Sequence, residues 1–403
     1  MSALICIAGK NRIAVEGLHL AVGRFGKEAV VACVNRNDDG VSRWQPSLRH
    51  HATRLGVPVV TVDEIRAHPG LVFISLEFDR IIDPEQFASK RLYNFHFSLL
   101  PAYKGVYTAA WPILNGETRS GVTLHCIDAG IDTGDIIDQR EIPIGLDDTA
   151  RDLYFACMDS GIALLRQHLD ALCATPAPAA TPQPAYGSTY YSQRSIDYGA
   201  LSIDFRQTAF GVRNQIRAFS FHEFQSVRID DLCVGRTEIL PQRSSAPPGT
   251  VRRIAADRVV VSTIDYELLC HADRDAALLD CSRAGDTAGM RAALTLGANP
   301  AASDRDGLTP LLRACRNGEP AAVELLLAAG AAADQHDQDG RTALMYAVGL
   351  PESSTATLIS QLLCRSGADA RRPDAFGTSP LDVDRHGVLA TIRSDQSPAR
   401  GDT

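Results

Sequence analysis

The sequence predicts an α/β domain with a mainly parallel sheet, then a small β-rich domain, then an all-α array of repeats. Three observations carry this. Short β-branched runs alternate with amphipathic stretches from Ala3 to about Leu172, short strand patterns with glycine turns fill Thr189 to Cys270, and the chain repeats itself beyond Asp275. At 403 residues it exceeds what one hydrophobic core usually serves, so two or three domains are expected.

In the first territory the strand candidates are "LICIA", "AVVACV", "VPVVTV", "LVFIS", "LYNFHF" and "GVTLHCID". Helical patterns such as Ile13 to Val22 and Trp44 to Leu55 lie between them, and a long helix from Thr149 to about Leu172 closes the domain. The Ala- and Pro-rich "ATPAPAATPQPAYGS" reads as an extended connector and ends the first domain at residue 188. Residues 189–270 read as a helix followed by short strands, the small β-rich domain. Then "DGLTPLLRAC" (Asp306 to Cys315) recurs 33 residues later as "DGRTALMYAV" and more loosely as "FGTSPLDVDR". The last copy follows a four-residue insertion placed near "LPESST". This period and its T-P/A-L signature resemble ankyrin repeats over 271–393, with a degenerate last copy as cap. Leu312 and Met345 stand where that motif has His, which predicts weaker turn hydrogen bonds. A disordered tail is expected over 394–403.

Composition narrows the function classes. The chain is 45% apolar and 22% charged, with formal charge -8, so it lacks the basic excess that nucleic acid or an anionic membrane surface favours. No stretch approaches eighteen uninterrupted apolar residues and no signal peptide is evident, so a cytoplasmic protein without membrane insertion is expected. The ten cysteines form no C-x-x-C pair and no zinc-finger spacing, which predicts reduced thiols and no metal site.

In "YNFHFSLLP" the strand period puts Asn94 and His96 on one face at the carboxyl end of a sheet strand, where open α/β sheets bind ligands. Alone, N-x-H is as compatible with a structural histidine. It is followed by "SLLPAYKG" and by "IDAGIDTGDII", a glycine-laced loop carrying Asp128, Asp132 and Asp135. Together these motifs resemble the signature of the formyltransferases that use 10-formyltetrahydrofolate, whose catalytic trio falls here on Asn94, His96 and Asp132. "ISLEFDRII", "AGKNRIAV" and "RAFSFHEFQ" point to the branch that acts on dTDP-linked amino sugars, although His222 and Phe224 replace the usual Arg and Tyr.

The resemblance covers about residues 3 to 240 and implies a Rossmann-like formyltransferase domain, 10-formyltetrahydrofolate as co-substrate, and a homodimer. Its acceptor would be a dTDP-linked 3-amino-3,6-dideoxyhexose of surface polysaccharide, such as lipopolysaccharide O-antigen. Alternatives are a 4-amino sugar nucleotide (dTDP-4-amino-4,6-dideoxyglucose or GDP-perosamine), a methionyl-tRNA acceptor, or a catalytically inactive ankyrin interaction protein. Asn94 would donate to the oxyanion, His96 would move a proton near neutral pH, and Asp132 would orient the imidazole. By the same resemblance Ser75, Leu76, Glu77 and Phe78, with Ile127, Asp128 and Gly130, line the folate site. Gly9, Lys10 and Asn11 open the first helix, where a diphosphate is favoured, and Glu77 could bond the sugar amine. Phe221 is a candidate to stack on thymine, with Phe219 and Phe224 as core. His125, His50 and His51 read as structural or surface groups. The ankyrin module would bind protein or serve as an auxiliary nucleotide-sugar site.

Overall fold

The computed structural model describes residues 3–384 and 387–390. Its contacts group Met1–Val41 with Pro46–Ala272 as one compact unit and Ser42–Gln45 with Asp273–Thr403 as another.

The first unit begins with β1 (Leu4–Gly9), α1 (Asn11–Phe25), β2 (Val30–Val34), α2 (Leu48–Leu55), α3 (Val62–Ile65), β3 (Leu71–Leu76) and β4 (Leu92–His96). It continues through β5 (Lys104–Gly105), α4 (Trp111–Leu114), β6 (Arg119–Cys126), β7 (Ile136–Pro143), α5 (Ala150–Cys173) and β8 (Tyr190–Tyr191). Six strands make one sheet in the order β2-β1-β3-β4-β6-β7. The first four are parallel, β6 runs antiparallel to β4, and β7 runs antiparallel to β6. The central strands are continuous apolar runs because both faces are covered. Ile5 and Ile7 enter one core cluster with α1 and α5, while Cys6 and Ala8 enter a second with Phe73 and Leu92. Strand order reverses between β1 and β3, which opens a crevice at their carboxyl ends. There a Cβ on Gly9 would stand 1.8 Å from the Leu76 carbonyl oxygen, so only glycine allows the approach.

Two elements differ from expectation. "VPVVTV" makes a single parallel bridge, Ala32 to Val59, because Pro58 offers no N–H and the Thr61–Glu64 capping box starts α3. The helix expected from Trp44 begins at Leu48, where Ser47 accepts from the His50 N–H at 3.0 Å.

A second, antiparallel sheet follows α6 (Ala209–Phe219). It is built from β9 (Val227–Ile229), β10 (Leu232–Arg243), β11 (Val251–Ala255), β12 (Arg258–Ser262) and β13 (Tyr266–Ala272) in the order β11-β12-β13-β10-β9. Its Val259, Val261 and Leu268 belong to the same core cluster as Ile5 and Ile7.

The other unit is helical: α7 (Arg274–Ala284), α8 (Thr287–Thr295), α9 (Pro310–Asn317), α10 (Pro320–Ala328), α11 (Ala343–Val348), α12 (Ser353–Arg365) and α13 (Pro380–Val383), around its own core. The four-residue insertion appears as an extra turn of α12, which has 13 residues against 9 for α10. The tail expected to be disordered, 394–403, lies outside the described residues. No described helix is long and apolar enough to cross a membrane.

Candidate active site

Register brings the site together. Ser75 of β3 pairs with Asn94 of β4, and Asn94 pairs with His125 of β6, so three polar residues stand abreast at one end of the sheet. Asn94 and His96 share a face of β4, as the strand period requires. The loop after β6 then turns back over them. Its Asp128 Oδ1 accepts from the Gly130 N–H at 3.1 Å and from Thr133 Oγ1 at 2.6 Å, which fixes the turn that presents Asp132.

Asp132 joins the pair. Its Oδ2 lies 3.5 Å from His96 Nδ1 and accepts from the Gly105 N–H at 2.9 Å, and its Oδ1 accepts from Asn94 Nδ2 at 3.3 Å. Gly105 is required there, since a Cβ would meet the Tyr191 carbonyl oxygen at 2.1 Å. His96 Nε2 lies 2.8 Å from the Tyr103 carbonyl oxygen, which can only accept, so Nε2 carries the hydrogen and Nδ1 is the basic atom. His96 is 7% exposed, and that burial lowers its pKa against the opposing pull of Asp132. Burial works to raise the Asp132 carboxyl, but the His96 charge, His125 and the Gly105 N–H outweigh it and hold the group down at about 2.

His125, read from the sequence as structural, belongs to this cluster. It is 3% exposed, and its Nδ1 lies 2.8 Å from the Cys126 carbonyl oxygen, so Nδ1 donates and Nε2 is left to accept from Asn94 Nδ2 at 3.1 Å. Nε2 also stands 3.6 Å from Asp132 Oδ1. Its alternation with Asn94 across an antiparallel pair was the missing signal, and that needs the register. Likewise His51, expected on a helix surface, is buried and lies 2.9 Å from His19 Nε2 through Nδ1, because its side of α2 packs on α1.

A second group of candidates gathers at the crevice. Asn11 Nδ2 donates to Glu77 Oε2 at 3.0 Å, and Tyr154 of α5, unmarked in the sequence, donates to the same oxygen at 2.9 Å. Burial raises the Glu77 carboxyl, opposed by Lys10 and the two donors. Phe221 is half-buried with its ring 5.6 Å from that of Tyr154, and Phe219 is core. Phe224, expected as core, is 63% exposed, because it ends the turn that leads out of α6.

Of the remaining candidates, Phe78 and Ile127 are half-buried beside the Phe73 cluster, a setting suited to one face of a flat ring. Leu76 contributes only its backbone: its side chain is fully buried beside Gly17, and its carbonyl accepts from the Lys10 N–H at 3.2 Å. Gly130 is exposed at the loop tip. Asn11, Glu77, Tyr103 and Asp132 all adopt positive φ, so the backbone strain of non-glycine residues concentrates around this end of the sheet. Among the described residues no cluster of three or more His, Cys, Asp or Glu could hold a metal ion.

Comparison with known proteins matches residues 40–169 to the family described as formyl transferase, and residues 278–374 to ankyrin repeats. The N-formyltransferase of Helicobacter canadensis, solved in complex with folinic acid and dTDP-3-aminofucose, is 39% identical with a TM-score of 0.62, covering 67% of this chain and 99% of that one. WlaRD, a sugar 3N-formyl transferase solved in the presence of dTDP and 5-N-formyl-THF, is 38% identical with a TM-score of 0.62, covering 67% and 98%. Methionyl-tRNA formyltransferase of Burkholderia mallei is 32% identical over 221 residues, 54% of this chain and 67% of that protein.

Proposed function

The chain belongs to the formyl transferase family, and from that premise we propose that it moves a formyl group from 10-formyltetrahydrofolate to the amine of a dTDP-linked 3-amino-3,6-dideoxyhexose. The observation that carries the reading is the convergence of Asn94, His96 and Asp132 beside the crevice between β1 and β3. Support for a 3-amino sugar comes from the two similar structures, whose descriptions name dTDP-3-aminofucose and a sugar 3N-formyl transferase. The folate would be a co-substrate consumed at each turnover. Ser75, Phe78 and Ile127 would line its site, with Glu77, Asp128, Gly130 and the Leu76 backbone at the rim. Gly9, Lys10 and Asn11 would take the diphosphate, and Phe221 the nucleotide end.

The folate supplies the formyl carbon. The amine bonds to that carbon, the bond from it to the folate nitrogen breaks, and the proton lost by the amine ends on the departing nitrogen. His96 would accept that proton on Nδ1, where Asp132 Oδ2 steadies the charge, and hand it on. Both hydrogens of the Asn94 amide are engaged, so the donor to the oxyanion would be the longer one, released from Asp132 Oδ1.

The same reading makes 1–188 the catalytic part, 189–270 the β-rich part and 271–393 the ankyrin part of a cytoplasmic homodimer in surface polysaccharide synthesis. Its test is mass spectrometry of the protein incubated with 10-formyltetrahydrofolate and dTDP-linked 3-amino and 4-amino sugars, GDP-perosamine and initiator tRNA. One added formyl group on the 3-amino sugar is the expected result. Formylation of a 4-amino sugar or tRNA instead would replace the acceptor, and no formylation with no folate binding would leave an interaction protein.

A further inference from the structure

Glu77 stands at the crevice with only one of its carboxylate oxygens engaged. Asn11 and Tyr154 both donate to Oε2, and they also meet each other, Asn11 Nδ2 to the Tyr154 hydroxyl at 2.8 Å. The three side chains, one each from the start of α1, the end of β3 and α5, therefore close a hydrogen-bonded ring. The backbone is fixed as well: Asn35 Nδ2 donates to the Glu77 carbonyl at 2.9 Å, and φ is 59° at Glu77 and 63° at Asn11. Oε1 has no hydrogen-bond partner among the described residues. Ser75 pairs with Asn94, so Glu77, two residues on, reaches the level of His96 one strand over. A carboxylate with one oxygen clamped and the other free, at the end of the strand next to the one that carries His96, is a seat for an ammonium group.

We propose that Tyr154, with Asn11, is a positioning residue for acceptor recognition, which keeps Glu77 aimed so that Oε1 binds the ammonium of the amino sugar. The inference rests on the formyl-transfer reading above and adds to it the device that selects an amine over a hydroxyl.

The electrostatics agree in sign. Burial pushes the Glu77 carboxyl up, and Lys10, the Tyr154 hydroxyl and the Asn11 amide pull it down. The other ionisable groups acting here are Arg12, which acts on Tyr154, and the Cys157 thiol on α5, which feels Glu77. The aromatic rings that meet Tyr154 among the described residues include Phe97, Phe155 and Phe221, which carry no charge. Removing the Tyr154 hydroxyl takes away one downward influence, so Glu77 becomes neutral at a higher pH than before, and the ammonium loses its counter-charge first at the acid end.

The experiment is calorimetric binding, between pH 5.5 and 8, of two probes: the dTDP-3-amino-3,6-dideoxyhexose and the dTDP-6-deoxyhexose bearing a hydroxyl in place of the amine. Full-length wild type, Tyr154→Phe, Glu77→Gln and the double variant are compared. Tyr154→Phe keeps the ring and its packing, and melting curves check that the fold is intact. Wild type should prefer the amine. Tyr154→Phe should weaken the amine probe about tenfold and leave the hydroxyl probe unchanged, with the loss growing as pH falls. Glu77→Gln should abolish the preference at every pH, and adding Tyr154→Phe should then cost nothing more. Equal weakening of both probes, a loss that does not change with pH, or additive effects in the double variant would overturn the inference. If wild type binds both probes equally, this inference alone fails; if it binds neither, the dTDP-3-amino-sugar reading of the acceptor falls and takes this with it.

Discussion

The His96 imidazole is pulled in two directions, and the balance sets what it can do. Burial favours the neutral ring and Asp132 favours the charged one, with burial the stronger. His96 should therefore titrate below the 6.5 of a free histidine and stay neutral through the physiological range. Its ring resonances in an NMR titration test this, and Asp132→Asn should move the midpoint lower still, because the charge that does most to raise it is gone and only the Tyr103 carbonyl still pulls upward. An unchanged midpoint in Asp132→Asn would show that the carboxylate does not act on the ring. In turnover, His96→Asn and Asp132→Asn should each lower kcat/KM by about two to four orders of magnitude with the melting temperature nearly unchanged. In the sequence a strand period and a motif both marked His96, whereas only the motif marked Asp132. His125 and Tyr154 were not legible: His125 reaches Asn94 through the pairing of β4 and β6, and Tyr154 reaches Glu77 from a helix 77 residues away. Neither distance is written in local sequence.

Single elements show where local chemistry overrides pattern. "VPVVTV" has the composition of a strand, yet one proline and one capping box leave it a bridge and a short helix. The ankyrin turns show the reverse. Leu312 and Met345 predicted weakened turns, but an aspartate holds each one instead: Asp304 Oδ1 accepts from Asp306 and Leu308, Asp337 Oδ1 from Asp339 and Arg341, and Asp374 Oδ1 from Phe376 and Thr378. Thr309 and Thr342 keep their cap bonds to Leu312 and Met345. At the other end of the chain the β1–β3 crevice depends on one missing side chain. Gly9→Ala would drive a Cβ into the Leu76 carbonyl and force two central strands apart at their carboxyl ends. A loss of at least about 2 kcal/mol in urea unfolding is expected, with weakened nucleotide binding. Unchanged stability would mean that the strands separate freely there.

At the scale of the molecule, two separate cores decide how the chain comes apart. One cluster runs from Ile5 through the six-stranded sheet and on into Val259 and Leu268 of the second sheet, so the α/β and β-rich parts share apolar burial and should unfold together. The repeat helices have a cluster of their own, centred on residues such as Leu311, Val323 and Leu344. The cluster of Cys6, Ala8, Phe73 and Leu92 sits on the same sheet strands as the Ile5 cluster and must melt with it; because burial of apolar surface is the main source of cooperativity, each of the two cores defines one transition. Calorimetry should then resolve two. Asp337 is the means of assigning them: it is buried in the repeat unit, and besides its two backbone bonds it accepts from the Tyr346 hydroxyl at 2.6 Å and from Arg341 Nε at 3.0 Å. Asp337→Ala should cost the repeat unit about 2 to 3 kcal/mol, lowering one transition by several degrees and leaving the other in place. Gly9→Ala should do the converse. A single transition that moves in both variants would show that the two clusters fold as one cooperative body, and the ankyrin repeats would then have to be counted as part of the catalytic unit's stability.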